Sequence, residues 1–458
     1  MKSWQRFAAW GLILAAGAFW LASALLRPSP SPDGVTPGLP PFPKIQRLLV
    51  LAPHCDDETL GSGGVIQSAI RAGIDVHVVI ATNGDGYLFA TMEEFRRLYP
   101  TAQDYIQMGE IRQQESFQAL STLGLQSDSV TFLSYPDRGT PALWDDHWSQ
   151  DSPYRSPYTG SNRSPYPLTF DSASVYAGED LLADLMSVLR EFRPDLILYP
   201  HPDDVHPDHW GLSIFTRLAL AEMERADSTY RPAAYAYLVH GPDFPAPRKY
   251  LPSQDLLPPT ALSRVSPSWY VFDLTPEETA QKWQALQQYR SQLGLLRGLF
   301  EGFVRRNELF EQRDPLRLPR LGTGDLSNPT SWRDPDGLPV APLALDPVKD
   351  SIGRDAVPAA DLAATFAART GDDQLLICLE ARGNPEPPLE YTLRAIGFSA
   401  DTSRHVSVTH IRDGKGRFVC AQSSLLDLGS PWLLVLGGEV SGPDVGILDQ
   451  VAWEVVFP

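Results

Sequence analysis

The sequence predicts an α/β domain, with a mostly parallel sheet and helices on both faces, followed by a C-terminal β-sandwich. Three observations carry this. From Ile45 to about Gln312, strand-like and helix-like runs alternate, the pattern that builds a parallel sheet with crossover helices. The first strand, Arg47-Leu48-Leu49-Val50-Leu51, ends in a continuous apolar run, as a strand covered on both faces does. After about Pro358 the pattern changes to short runs, some with period two, separated by Gly, Pro and Asp turns.

Taken in order, Gly61, Gly63 and Gly64 open a helix after the first strand. Their spacing fits neither a dinucleotide fingerprint nor a Walker loop, so close helix packing is their reading. Val76 to Ala81 is a strand, Gln103 to Leu123 a helix and Val130 to Leu133 a strand. Asp180 to Phe192 is a helix with Leu182, Leu185, Leu189 and Phe192 on one face, and Leu196 to Tyr199 a strand. A later helix has Thr275 as N-cap, Pro276 in its first turn and Glu278 completing a capping box, with Gly294 as its stop. The C-terminal strands are Leu375 to Leu379, Leu389 to Ala395, Val406 to His410, Trp432 to Leu436 and Val451 to Phe457. The chain thus divides into a leading segment (1–30), a Pro-rich spacer (31–44), the α/β domain (45–312), an extended linker wrapping it (313–358) and the β-sandwich (359–458).

A length of 458 residues with 43% apolar content supports two or more cores. The formal net charge of −18 excludes nucleic acid as a direct partner and favours neutral or cationic ligands. Phe7 to Leu26 is uncharged and mostly apolar, preceded by Lys2 and Arg6, and at 1.5 Å per residue a helix of that length reaches across ~30 Å of hydrocarbon. It reads as a membrane anchor, or as a cleaved signal with Ala22-Ser23-Ala24 as the cleavage site; either sends the rest of the chain across the membrane, to be anchored there or secreted. Three cysteines build no disulfide framework, although Cys378 and Cys420 can pair in an oxidising compartment.

The chemistry lies in two clusters. His54-Cys55-Asp56-Asp57-Glu58 follows the first strand, and His201-Pro202-Asp203-Asp204-Val205-His206-Pro207-Asp208-His209 follows the strand Leu196 to Tyr199. In an open parallel sheet ligands gather beyond the carboxyl ends of the strands, so both clusters meet on one rim. Imidazoles and carboxylates in that mixture suit a hydrolytic zinc centre, which takes three protein ligands and leaves one position for water.

Pro53-His54-x-Asp56-Asp57-Glu58-x-x-Gly61 together with His206-Pro207-Asp208-His209 resembles the LmbE-like zinc deacetylases, over about residues 46 to 312. The resemblance also takes in Arg112-x-x-Glu115, Tyr135-Pro136-Asp137 and Ser291-Gln292. It implies a Rossmann-like domain, one zinc ion per chain and hydrolysis of an N-acetyl group on an amino sugar. It further implies His54, Asp57 and His209 as the ligands, and Asp56 as the base that takes the water's proton. His206 is then the group for the oxyanion and leaving amine, with Asp208 as its orienting partner. Glu58 and Asp204 are expected to orient the ligands; some relatives carry a tyrosine at the Asp204 position, so that source of transition-state stabilisation is in doubt.

Arg112 is a candidate substrate contact, against a plain ion pair with Glu115 one helical turn on. Trp144 to Tyr176 carries three Ser-Pro-Tyr copies beside Trp144 and Trp148, and reads either as a lid whose aromatics stack on sugar or as a loop packing its own rings. His77, His240, His405 and His410 read as structural, and His201 as marginal. Two other functions stay open: a non-catalytic carbohydrate-binding module on the same fold, and a two-metal hydrolase recruiting Asp203, Asp204 and Asp85.

Overall fold

The computed structural model describes residues 45–265, 269–313, 315–347, 357–401, 403–443 and 446–458. The apolar run Phe7 to Leu26 lies outside them, and no helix among the described residues is long and apolar enough to cross a membrane.

The α/β part runs β1 (Arg47–Ala52), α1 (Asp57–Arg71), β2 (Asp75–Thr82), α2 (Leu88–Phe95), α3 (Ala102–Leu123), β3 (Val130–Tyr135), α4 (Thr140–Asp145), α5 (Gly178–Phe192), β4 (Leu196–Pro200), α6 (Pro207–Ala226), β5 (Ala233–Tyr237), α7 (Thr260–Val265), β6 (Trp269–Asp273), α8 (Pro276–Leu286), α9 (Arg290–Gly302) and β7 (Asn307–Gln312). The sheet order is β3-β2-β1-β4-β5-β7-β6, parallel as far as β5, with β7 antiparallel to β5 and β6 antiparallel to β7. The chain leaves β1 toward β2 on one side and β4 toward β5 on the other. That switch point opens a crevice between β1 and β4, whose register pairs Leu48 with Leu196.

Strand alternation gives the sheet two apolar faces. Leu48, Val50 and Ala52 join one buried cluster with Val65 and Ile66 of α1, while Leu49 and Leu51 join a second with Leu212 and Phe215 of α6. Gly61 is required by close approach, since a Cβ there would sit 2.3 Å from the Tyr237 ring. The capping box at Thr275 forms, but the helix stops at Leu286 and a second one runs through Gly294. The break brings the buried Tyr289 hydroxyl to Glu58, a tertiary contact that overrides a local stop signal.

The C-terminal part forms two sheets. One has order β14-β11-β10-β9, from β9 (Ala344–Leu345), β10 (Leu362–Arg369), β11 (Gln374–Ala381) and β14 (Phe418–Ser424). The other has order β13-β12-β15-β16-β8, from β8 (Leu316–Arg317), β12 (Glu390–Phe398), β13 (Arg404–Ile411), β15 (Leu433–Gly442) and β16 (Gly446–Phe457). Their pairings are antiparallel except that of β16 with β8. Ile377 and Leu379 of the first sheet share a buried cluster with Leu393, Leu434 and Val451 of the second. Cys378 and Cys420 face each other across β11 and β14 and form a disulfide. The expected linker contributes β8 and β9 and buries Trp332 against Phe366 and Cys378, so it packs on these sheets.

The second sheet also packs on the α/β domain. Phe398, Val435 and Trp453 extend the cluster that holds Trp144 and Phe215. Trp144 is fully buried there, 5.2 Å from the Phe215 ring and 6.1 Å from the Trp453 ring. This corrects its expected role: Trp144 is core at the junction and faces no sugar. Trp148 stacks on Phe215 in the same place.

Candidate metal centre

The site is built on the ends of β1 and β4, one strand pair wide. Asp56 caps α1 with φ 134°, a conformation strained for a non-glycine residue, and its N–H donates to Glu58 at 3.0 Å. The turn aims Asp57 inward. Its Oδ2 lies 3.0 Å from His54 Nδ1 and 3.0 Å from His209 Nε2, so the three expected ligands converge.

His209 is fully buried, and each ring nitrogen faces a carboxylate. Its Nδ1 lies 2.9 Å from Asp204 Oδ2, which accepts from Val239 N and His240 N at 3.0 and 2.9 Å. Asp204 Oδ1 accepts from His206 N at 2.9 Å. Asp204 therefore holds the loop and sits against the back of His209. Glu58 accepts from Tyr289 and from Asp56 N, bracing the turn.

Ligand atoms of three overlapping triplets each lie within 4.8 Å of one another: His54-His206-His209, Asp57-His209-His240 and His54-Asp137-Asp208. This is a donor set of imidazoles and carboxylates, with the buried His209 ring set between the carboxylates of Asp57 and Asp204. The residues fit a zinc-like ion.

Charge explains the protonation pattern. Burial raises the Asp57 carboxyl, but His209 and His54 overcome it and hold the group well below the usual carboxylate range. Burial pushes Asp56 up to about 8, opposed by Arg112. Burial lowers His209, yet Asp204 and Asp57 lift it to about 9. His206 is held well below its ordinary value by burial and then by the charge of His54, so its imidazole is neutral at pH 7.

Several expectations need correction. The Asp208 carboxylate does not serve His206: it accepts from Arg138 N at 2.6 Å and from Thr140 N and Oγ1 at 3.1 and 2.8 Å, and its Oδ2 lies 3.1 Å from His54 Nε2. His206 instead receives only the Asp208 backbone N–H, at 3.3 Å on Nδ1. Arg112 pairs with Asp56 (3.1 Å), not with Glu115, and donates to Cys55 O and Gly84 O at 2.6 Å each. Its guanidinium is committed to the protein, which corrects its reading as a substrate contact. A Cβ on Gly84, whose φ is +62°, would lie 1.7 Å from Arg112 Nη1, so only glycine admits that arginine. Glu115 accepts from Ser291.

His240 was expected to be structural, yet its ring lies 4.7 Å from His209 and 5.3 Å from His206. Asp137 lies 3.4 Å from His54 Nε2. Asp85 is buried and accepts from the Tyr166 hydroxyl, so the Ser-Pro-Tyr loop reaches the rim through a tyrosine. Of these three, His240 reads as structural from sequence, Asp85 enters only a two-metal site and Asp137 only the family resemblance, although each follows a strand end (β5, β2 and β3). His201 pairs with Glu311 and stacks on Trp269, away from the centre.

Residues 49–220 match the family described as PIG-L, GlcNAc-PI de-N-acetylase. The PIG-L match spans both clusters and ends inside α6. A 1D-myo-inositol 2-acetamido-2-deoxy-alpha-D-glucopyranoside deacetylase of Mycobacterium sp. (strain KMS) is 34% identical over 185 residues, covering 40% of this chain and 51% of the relative. A protein of the same description from Rhodococcus jostii (strain RHA1) is 33% identical over 178 residues, covering 38% and 53%. The chain thus spans about half the length of these relatives. Among solved structures, an N,N'-diacetylchitobiose deacetylase from Pyrococcus horikoshii aligns with a TM-score of 0.38 and 18% identity, covering 60% of this chain and 85% of that one.

Proposed function

We propose that this chain hydrolyses the N-acetyl group of an N-acetylated amino sugar, using one zinc ion held by His54, Asp57 and His209. The observation that carries the reading is the single carboxylate oxygen of Asp57 set 3.0 Å from both imidazoles, with Asp56 beside it. When bound there, the ion supplies Lewis acidity for the amide carbonyl and lowers the pKa of a water. Asp56 accepts that water's proton, and a dication nearby keeps its carboxylate ionised where burial alone would protonate it. Arg112 and Glu58 hold Asp56 in its strained turn. His206, a neutral imidazole at the rim, offers its N–H to the developing oxyanion, and the proton that Asp56 takes from water is the one delivered to the leaving amine. Asp204 keeps His209 turned toward the ion.

The match to inositol-linked glucosamine deacetylases makes such a glycoside the first substrate to try. We place the catalytic part outside the cytoplasm, anchored in the membrane or secreted, because of Phe7 to Leu26 and because the Cys378–Cys420 disulfide suits an oxidising compartment. The two C-terminal sheets, sharing one apolar cluster, read as a β-sandwich.

A second reading, a two-metal hydrolase, has one observation in its favour: the His54-Asp137-Asp208 triplet beside the first site. Acetate release from a panel of N-acetylated glycosides, with zinc content measured on the same sample, decides. One zinc per chain with acetate release is expected, and Asp56→Asn is expected to keep its zinc and lose about 10²–10⁴ in kcat. Two metals per chain with phosphoester turnover would replace the proposal.

A further inference from the structure

We propose that Glu454, on the last strand of the C-terminal sheet, positions the metal-binding loop of the α/β domain through Arg313 and Asp203. The inference rests on the zinc centre proposed above and extends it to a residue 245 positions beyond His209 in the chain.

The contacts run without a gap. Glu454 Oε1 lies 3.1 Å from Arg313 Nη1, and its Oε2 pairs with Arg217 of α6. Arg313 in turn pairs with Asp203 and lies 2.9 Å from Glu311. Glu311 pairs with His201, whose Nδ1 accepts from Asp203 N at 3.0 Å. Asp203 is followed directly by Asp204, the carboxylate that sits against His209 Nδ1 and receives His206 N. The neighbouring residue of β16 grips the other end of the same segment: Trp453 stacks 6.4 Å from Trp210, next to His209, and its carbonyl accepts from Arg217 at 2.7 Å. One strand of the C-terminal sheet therefore holds both the loop before His206 and the helix after His209.

The charges make this more than packing. Asp203, Glu311 and Glu454 are each at most 5% exposed at the side chain, and they share Arg313, Arg217 and His201. Neutralising Glu454 leaves Arg313 to satisfy itself on Asp203 and Glu311 alone, which draws the loop out of register with His209. Partners of this kind, which hold a ligand's orientation from behind, change metal affinity by about 10–100-fold when removed.

The test uses the full chain with Glu454→Gln, Arg313→Gln and, as a control, Arg394→Gln, which cuts Asp145 and Glu439 at another part of the same junction. Zinc affinity is read by competition with a chelator, and kcat, KM and melting temperature are measured alongside. The expected result is zinc binding weaker by about tenfold in Glu454→Gln and Arg313→Gln, with lower kcat at unchanged KM, while Arg394→Gln binds zinc as the parent does. If Glu454→Gln does not fold, Arg313→Gln decides, since it keeps the Arg217–Glu454 pair. Parental zinc affinity in a folded Arg313→Gln, or an equal loss in Arg394→Gln, overturns the inference while leaving the deacetylase reading intact. A parent chain that binds no zinc and releases no acetate overturns both.

Discussion

Two buried charge clusters lie a few residues apart in this chain and are neutralised in different ways. At the junction, Asp203, Glu311 and Glu454 meet Arg217 and Arg313, each carboxylate beside a guanidinium or the His201 ring. On the rim, the ion-pair partners of Asp57, Asp137, Asp204 and Asp208 among the described residues are imidazoles, and Arg112 pairs with Asp56. A buried charge is costly unless it is paired. The junction carries its own cations, whereas the rim's carboxylates face imidazoles, those of His54 and His209 raised in pKa, whose protons a divalent ion would displace on the reading proposed above. The same residue types, five positions apart at His201 and His206, thus serve a fixed joint in one case and, on the reading proposed above, an ion site in the other.

The largest test of that contrast is to remove the ion. Chelation, or His209→Ala, is expected to abolish acetate release and lower the melting temperature of the parent, because an ion bound only by the folded state stabilises it by mass action. Chelator should leave the melting temperature of His209→Ala unchanged. A parent melting curve indifferent to chelator would mean that the rim, like the junction, neutralises itself.

How much of this contrast was legible from sequence depends on which physical rule applied. Strand ends were readable because β1 and β4 are continuous apolar runs, and the rule that ligands lie beyond carboxyl ends brought the two clusters together, while the family resemblance singled out His54, Asp57 and His209 within them. Applied to every strand, the same rule finds Asp85, Asp137 and His240. The junction was not readable: nothing local in Trp144 tells a sugar platform from a core residue, because what buries it is Trp453, over 300 positions away. Asp208 failed for a geometric reason, since its neighbour in sequence is not its neighbour in space once the helix turns. The Gly294 stop failed because the buried Tyr289, not a cap, sets where the two helices divide.

A smaller effect sharpens the junction side. Trp144→Ala is expected to cost about 3–5 kcal/mol of stability by opening a cavity among Phe215, Phe398 and Trp453. KM for any active glycoside should stay unchanged in protein kept below its melting range. A raised KM with parental stability would return Trp144 to the sugar pocket.

The smallest effect comes from a third buried cluster, which is neutralised by a proton. Asp346, Asp361 and Asp449 lie close together in the C-terminal sheets, with Arg382 on Asp361. Burial pushes Asp449 up to about 7, opposed by its hydrogen bond from Leu362 N. The folded chain therefore keeps this proton to about pH 7, while the unfolded chain releases it near the ordinary value of 3.8. Its contribution to stability is complete below the lower value, falls as pH rises between the two, and is gone above the upper one. Asp449→Asn removes the titration, so relative to the parent the variant should gain on the order of 1–2 kcal/mol between pH 5 and pH 8. Melting curves of both proteins across that range check it, and a parent-to-variant difference that does not change with pH would show that Asp449 is paired like the junction carboxylates and not protonated.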